Sequence, residues 1–256
     1  RVFNHITDPI EVPFEGADAP LREIVYEAVD SCWNVSTWSK YLKVKDETVP
    51  HVVTDDAIRV SLNHKEEWIA ADVFGEGSYD NCGIELELAR RTDWWKDPKC
   101  VNLCPSGKTY GNWADILVAI GFDRGDVNVI LSGGTLNGTY DLDLERLKEN
   151  ILSDTKIEEH YFKSIAWLWE DSDCGEKVVH GWLYEIAKVL SDPGYCGLTD
   201  EHGNALNEEV LREFFDRLTG IPGYGKEVAY LGGGWSTDVP FKCEDACEAV
   251  TVEYLA

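Results

Sequence analysis

Four carboxylates between residues 85 and 97 have the chemistry and the spacing of a catalytic acid pair. They are Glu85, Glu87, Asp93 and Asp97. A glycosidase uses one carboxyl group to protonate the leaving oxygen and a second as base or nucleophile, about 5 Å or about 6.5–9.5 Å away. Glu85 and Glu87 alternate with apolar residues, so their side chains share one strand face. They predict an acid-type glycan hydrolase, against the alternative of a solvated strand face in an acidic chain.

Tryptophans in loops predict a second kind of site. Trp94 and Trp95 follow Asp93, and Trp235 follows three glycines. Exposed rings stack on sugars or fill pockets of a partner protein, and a neighbouring carboxylate accepts hydrogen bonds. These four residues predict a surface that binds an extracellular glycan or a cell-surface protein, and the alternative is rings folded back over a core. The tryptophans on apolar faces of predicted helices, which we expect in the core, are Trp113, Trp167 and Trp182.

The histidines and the glycine-rich segments predict neither a metal site nor a cofactor site. Glu176 and His180 lie one helical turn apart, but no His-Glu-x-x-His pattern occurs, so the histidines are interpreted as structural or surface residues. Asp171 and Asp173 begin like a calcium loop, yet the twelfth position is Trp182, which supplies no oxygen ligand.

The charge of the chain excludes one class of partner. Acidic residues number 48 against 23 Lys and Arg, which gives a formal net charge of −25. Nucleic-acid binding requires cations that neutralise phosphates, so no nucleic-acid partner is expected. The acidity predicts either high solubility or adaptation to acidic surroundings. No apolar run approaches the length of a membrane span, so none is predicted.

Eight cysteines predict a secreted, disulfide-stapled protein, because disulfides persist in oxidising compartments. The alternative is zinc, bound by the Cys-x-x-x-Cys pairs 100–104 and 243–247. The sequons at Asn34 and Asn137 predict glycosylation. A chain that starts at Arg1 without an apolar leader is typical of a processed protein, so we expect an extracellular location. The cysteines are Cys32, Cys82, Cys100, Cys104, Cys174, Cys196, Cys243 and Cys247.

Hydrophobic periodicity predicts an α+β fold, with strands mainly in the N-terminal half and helices mainly in the C-terminal half. We expect one domain over residues 1–256, with a possible sub-boundary near 132–140. Helices are predicted over 19–33, 111–122, 141–152, 158–169, 175–190 and 207–220, the last capped by Asn207 and ended by Gly220. Strands are predicted within 49–74 and over 82–88, 126–131, 226–233 and 249–255. For residues 55–63 the alternative is a short helix with Ile58 and Leu62 inward.

Residues 55–88 combine an aspartate, a short segment with Ile58, a strand tryptophan at Trp68, and a glycine at Gly77 five positions before Cys82. This pattern resembles the central part of secreted fungal killer-toxin and necrosis-effector domains. The cysteine that those domains place directly after the aspartate is Ala57 here. The resemblance implies a small disulfide-bonded α/β domain that acts on the cells of another organism by binding, with no catalytic centre to transfer.

The leading hypothesis is therefore a secreted effector or toxin that acts on other cells by binding a surface glycan or protein through the 77–113 region. The alternative is the secreted glycan hydrolase described above. The two differ in which residues matter, because a hydrolase depends on a carboxylate pair and a binding protein depends on its aromatic surface.

Overall fold

The computed structural model describes residues 21–43, 48–80, 83–93, 110, 112–152, 156–172, 175–192, 207–246 and 249–256. The chain forms two compact units. The first comprises Arg1–His51 and Ser78–Ile84, and the second comprises Val52–Gly77 and Glu85–Ala256. These divisions lie away from the sub-boundary predicted near 132–140.

The first unit contains an antiparallel hairpin of strands β1 (Arg22–Val29) and β2 (Val35–Leu42). The carboxylate of Asp30 closes the connecting turn, because its Oδ1 accepts the backbone N–H groups of Cys32 and Asn34 at 2.8 and 2.9 Å. Within this unit His51 also forms an isolated antiparallel bridge.

The helix predicted over 19–33 is wrong. Its residues Ile24, Val25 and Tyr26 are β-branched or aromatic, and such side chains fit a pleated strand at least as well as a helix. The partner strand lies beyond the predicted helix, and Tyr26 faces Trp38 across the ladder with ring centroids 5.5 Å apart. Pairing with the second strand therefore decides that this segment is a strand. The spacing of apolar residues within the segment alone does not reveal that pairing.

The second unit is built mainly from helices, and its core is centred on the fifth of them. Trp182, Leu183 and Ile186 on that helix are completely buried. The described helices are α1 (Trp113–Ala119), α2 (Arg124–Leu131), α3 (Leu144–Asn150), α4 (Lys156–Asp171), α5 (Gly175–Ser191), α6 (Glu208–Thr219) and α7 (Tyr224–Leu231).

Four short strands complete the second unit as two antiparallel pairs. Strand β3 (Glu66–Ala70) pairs with β5 (Asp238–Lys242), and β4 (Leu88–Arg91) pairs with β6 (Val252–Leu255). A single 3-10 turn, Ala71–Phe74, follows β3. A second, smaller core cluster lies here, and its buried members are Ala71, Phe74, Ala89, Val239 and Phe241.

The mixed α+β composition is confirmed, and five of the predicted helices are present as α1, α3, α4, α5 and α6. The predicted cap and stop of α6 are also present. The side chain of Asn207 accepts the N–H of Glu209 at 2.8 Å, and Gly220 has a φ of 75°. The strand predicted at the C-terminal end is β6.

Two predicted strands are helices instead. Residues 126–131 lie in α2 because Asp123 caps it, its Oδ1 accepting the N–H of Gly125 at 2.6 Å. Residues 226–231 lie in α7, whose first turn is held by Asp216: its carboxylate accepts the N–H groups of Gly223 and Gly225 at 3.1 and 2.6 Å. Each helix is held at its start by an aspartate outside the apolar stretch on which the prediction rested, Asp123 for α2 and Asp216 of α6 for α7.

Other expectations are corrected in detail. The regular strand predicted over 82–88 begins only at Leu88 and runs to Arg91. Trp182 is buried as predicted, whereas Trp113 is half-buried and Trp167 is 39% exposed, so the core assignment of Trp167 is wrong. The three tryptophans lie on three different helices, and only Trp182 on α5 is completely buried.

The disulfide prediction is wrong for the two cysteines that the structure describes, because Cys32 and Cys243 are exposed free thiols. Disulfide stapling therefore finds no support in the described part of the chain. The remaining cysteines lie outside the described residues, and they are Cys82, Cys100, Cys104, Cys174, Cys196 and Cys247.

Candidate functional site

The structure does not bring the predicted hydrolase carboxylates together as a described pair. Glu85 is exposed. The Oε1 of Glu87 accepts the hydroxyl of Tyr254 at 2.7 Å, which ties it to strand β6. Asp93 belongs to an ion-pair cluster, and Asp97 lies outside the described residues. The hydrolase function stays a prediction.

Arg91 organises that cluster with a side chain only 4% exposed. Its Nε and Nη2 donate to the two oxygens of Asp93 at 2.8 and 2.9 Å. Its Nη1 and Nη2 donate to Asp245 at 2.8 and 2.9 Å, and Nη1 also donates to the carbonyl of Pro240 at 3.1 Å. Hydrogen bonds from the guanidinium hold the pKa of Asp93 below its ordinary value. Asp93 is thereby engaged in a structural contact between β4 and the segment after β5.

The predicted aromatic surface is not assembled in the described residues. Trp94 and Trp95 lie outside them. Trp235 is only 5% exposed, so the expectation of a surface ring is wrong. Its Nε1 donates to the carbonyl of Leu231 at 3.0 Å, and the guanidinium of Arg90 lies over the ring at 4.3 Å. The glycines before Trp235 allow it to turn inward against the end of α7.

Both sequons are exposed and lie in turns. The amide of Asn34 donates to Asp30 at 2.7 Å within the hairpin turn. Asn137 has a left-handed φ of 55°, a conformation that asparagine tolerates better than most residues. Glycosylation at these positions stays a prediction.

An open cleft in the second unit is the strongest candidate site. Its volume is about 540 Å³, a size typical of sites for small ligands or protruding side chains. The wall from α4 contributes Phe162, Ala166, Trp169 and Glu170, which lie on one helical face. The charged residues of the cleft are five carboxylates and one guanidinium: Asp123, Asp141, Asp143, Glu145, Glu170 and Arg146.

A tight backbone contact positions the acidic wall of the cleft. Phe122 and Leu142 form an isolated antiparallel bridge, and the N–H of Asp143 donates to the carbonyl of Gly121 at 2.8 Å. Gly121 has a φ of 114°, and a Cβ there would lie 2.7 Å from the carbonyl oxygen of Asp143. Glycine is therefore required for the two segments to approach this closely.

Two of the cleft carboxylates are also helix caps. Asp123 caps α2, and Asp143 caps α3 by accepting the N–H of Arg146 at 3.1 Å. Within the described part of the chain, the side chains of Asp141 and Glu170 take part in no hydrogen bond or ion pair. Both are exposed, so they are the carboxylates best placed to meet a ligand.

A chain of hydrogen bonds that begins at the buried Tyr224 and ends at the exposed Glu176 lies next to Trp169, whose ring centroid is 6.0 Å from that of His180. The hydroxyl of Tyr140 donates to Glu176 at 2.6 Å. Because that proton is used, the Tyr140 oxygen accepts from Nε2–H of His180 at 2.9 Å. The Nδ1 of a neutral His180 then accepts the hydroxyl of Tyr224 at 2.8 Å. The chain is therefore directional, from Tyr224 to Glu176.

His180, Tyr140 and Tyr224 are uncharged near neutral pH. Burial lowers the pKa of His180 to about 3. Burial also raises the pKa of Tyr140 and of Tyr224 well above the ordinary tyrosine value. A neutral histidine between two neutral hydroxyls is a structural contact, and it fixes Tyr140 directly before Asp141 of the cleft. The interpretation of His180 as a structural histidine agrees with this arrangement.

The cleft was missed in the sequence because its residues come from three separate segments. The signals that could have found it are the aspartates 123 and 143 at helix starts and the Trp169–Glu170 pair on a helix. Among the described residues no group of His, Cys, Asp and Glu is arranged to hold a metal ion. None of the helices described is long and apolar enough to cross a membrane.

Comparison of the chain with protein-family models, with curated proteins and with solved structures finds no match.

Proposed function

We propose that this protein is a non-catalytic binding protein that takes basic side chains of a partner protein in its acidic cleft. The observation that carries the proposal is the lining, in which five carboxylates and one arginine surround an aromatic wall. The proposal includes the setting expected from the sequence, an extracellular effector that acts on other cells through a surface protein.

Electrostatics favours a cationic ligand over a neutral or anionic one. A cleft lined by one sign of charge raises the local concentration of the opposite sign and speeds encounter. The net charge of −25 extends this attraction beyond the cleft, so positive residues would be drawn toward the whole molecule and held where carboxylates converge.

The wall from α4 supplies the apolar half of such a site. Trp169 is half-buried, and its neighbour Glu170 is exposed. A lysine or arginine side chain can lay its methylene stem against Trp169 and Ala166 while its charged end reaches the carboxylates, a combination that favours guanidinium and ammonium groups. A ligand without a positive charge could contact the apolar wall but could not pair with the carboxylates.

Calorimetric titration with a hexa-arginine peptide tests the proposal. Because exposed ion pairs contribute about 0.2–1 kcal/mol each, the double variant Asp141→Asn, Glu170→Gln is expected to weaken binding roughly two- to thirty-fold. The matched control is Glu76→Gln, which removes an exposed carboxylate of the same unit outside the cleft lining.

The result for the control variant distinguishes binding of the peptide at the cleft from attraction by the net charge of the whole protein. Equal weakening per removed charge in the cleft variant, which loses two carboxylates, and in Glu76→Gln, which loses one, would show that the peptide responds only to net charge, and the proposal would fail. Retained affinity in Glu76→Gln with loss in the double variant supports the cleft. A glycine-serine peptide of equal length is expected not to bind.

The effector part of the proposal has its own test. Yeast, plant and animal cells are exposed to the purified protein, and growth and membrane leakage are measured. Arrest or leakage that disappears in the double cleft variant supports an effector that works through the cleft. If no cell type responds, the protein is not an effector of those cells, whatever the peptide titration shows.

A further inference from the structure

The hairpin of the first unit exposes apolar residues along its whole length. Trp33 in the turn is 85% exposed, and Trp38 and Tyr41 on β2 are 57% and 66% exposed. Val29 and Val35, the last facing pair before the turn, are 48% and 58% exposed. Isolated exposed apolar residues are normal on protein surfaces. Here they lie on both faces of one short hairpin, since Trp38 and Tyr41 are three residues apart in β2 and face opposite sides, and such a concentration marks an interaction site.

Charge divides the hairpin into a base and a tip. The base, residues 22–27 and 40–43, carries Arg22, Glu23, Glu27, Lys40 and Lys43. The tip, residues 28–39, carries one ionisable carboxylate, Asp30. Hydrogen bonds from Cys32 and Asn34 already occupy that carboxylate, including the Asn34 amide at 2.7 Å. Because these hydrogen bonds already satisfy the carboxylate, moving the turn from bulk water to a less hydrated environment costs less free energy.

We propose that the hairpin tip, with the Asn34 side chain unmodified, is a membrane-interface anchor that lies in the headgroup region of a phospholipid bilayer. Tryptophan and tyrosine favour that region because their rings are apolar and their N–H or O–H groups are polar. Charged residues at the base then remain in water. Among the described residues no third strand pairs with the hairpin. The hydrocarbon core would leave the backbone groups at the edges of such a ladder unsatisfied, so the tip stays at the interface.

The size of the hairpin favours a lipid surface over a protein partner. Two strands of eight residues present a face of about 26 Å by about 10 Å, or roughly 260 Å², whereas a stable interface buries about 800 Å² on each partner. A second copy of the chain is also disfavoured, since each copy carries a net charge of −25. The same charge predicts that zwitterionic vesicles are bound better than anionic ones.

Vesicle sedimentation with the full chain tests the anchor, using phosphatidylcholine vesicles as the probe. The first variant is Trp33→Asn, because Trp33 has a φ of 65° and asparagine tolerates that conformation. The second is Trp38→Thr, which places a β-branched residue of high strand propensity in β2. The matched control is Tyr230→Ser on α7, where the side chain is 92% exposed in the second unit.

The wild-type chain is expected to sediment with phosphatidylcholine vesicles. Trp33→Asn is expected to lower the partition coefficient by roughly tenfold, which corresponds to about 60 Å² of apolar surface. Trp38→Thr is expected to lower it too, and Tyr230→Ser is expected to leave it unchanged. The hexa-arginine affinity of the cleft should be the same in all three variants, so the two proposals fail independently.

Three results would overturn the anchor. They are a wild-type chain that stays in the supernatant, hairpin variants that bind as tightly as the wild type, and tighter binding to phosphatidylglycerol than to phosphatidylcholine vesicles. The last result would assign binding to the cations at the base instead of the uncharged tip.

Discussion

Replacement of Arg91 by methionine isolates the ion-pair cluster that joins β4 to the segment after β5. The change puts an unbranched, apolar side chain in place of the guanidinium that donates to Asp93, Asp245 and the carbonyl of Pro240, and leaves Asp245 with the backbone N–H of Lys242. Removing one partner of a buried ion pair costs about 3–5 kcal/mol, because the other partner is left without compensation. Asp93 is 45% exposed and Asp245 is 19% exposed, so water relieves part of the loss. We therefore expect a loss near the low end, about 3 kcal/mol.

The size of this loss depends on pH with a definite sign. Arg91 holds the pKa of Asp93 below its ordinary value near 3.8. Burial by itself raises the pKa of Asp245, and hydrogen bonds from Arg91 and from the Lys242 backbone reverse that effect. Carboxylates with lowered pKa stabilise the fold above their unfolded pKa and lose that contribution as the pH falls through the folded pKa. The difference between wild type and variant is therefore largest at neutral pH and shrinks below about pH 4.

Urea denaturation followed by tryptophan fluorescence measures this difference at pH 7 and at pH 3. The matched control is Arg124→Met, which removes the surface ion pair with Asp115. An exposed pair of that kind contributes about 0–1 kcal/mol. Equal losses for the two variants at pH 7, or a loss for Arg91→Met that does not shrink at pH 3, would refute the structural role given to Asp93.

Two other predictions follow from buried residues of α5. Because the pKa of His180 is lowered to about 3, the unfolded chain takes up a proton that the folded chain refuses, and the unfolding free energy should fall between about pH 6.5 and pH 3 by up to about 1.4 kcal/mol per unit. His180→Gln should flatten that slope in denaturation curves, and an unchanged slope would contradict a neutral, buried His180. A Cβ on Gly181 would lie 2.2 Å from the carbonyl oxygen of Gly232, so Gly181→Ala should lower the unfolding free energy by about 1–3 kcal/mol although alanine favours helices. A gain in stability in thermal unfolding would show that this backbone contact is looser than described.

The sequence was a good guide where an element carries its own signals. Helix α6 has a capping Asn207, an apolar stripe and a terminal Gly220, and all three have the predicted roles. The sequence predicted the wrong type of element where the apolar residues were few or β-branched. Hairpin β1–β2 and helices α2 and α7 have short apolar runs that fit either period, and in each case a contact outside the run decides the outcome.

Prediction of the candidate site was limited by the same dependence on contacts between distant residues. Sequence reasoning chose residues that cluster along the chain, such as Asp93 and the neighbouring tryptophans. In the fold Asp93 binds a buried arginine, and Trp235 turns inward beneath Arg90. Asp141 and Glu170 line the same cleft although they are 29 positions apart along the chain. No local sequence pattern predicts that they lie close together.

By itself the sequence determined the acidity of the molecule, its mixed α+β class and the helices whose apolar faces and caps agree. These properties depend on composition and on residues within a few turns of one another. Only the tertiary structure decided that the hairpin replaces a helix, that His180 is held neutral between two tyrosines, and that scattered carboxylates line one cleft. Burial, hydrogen-bond partners and charge proximity are set by residues far apart in the chain, and they exist only once it has folded.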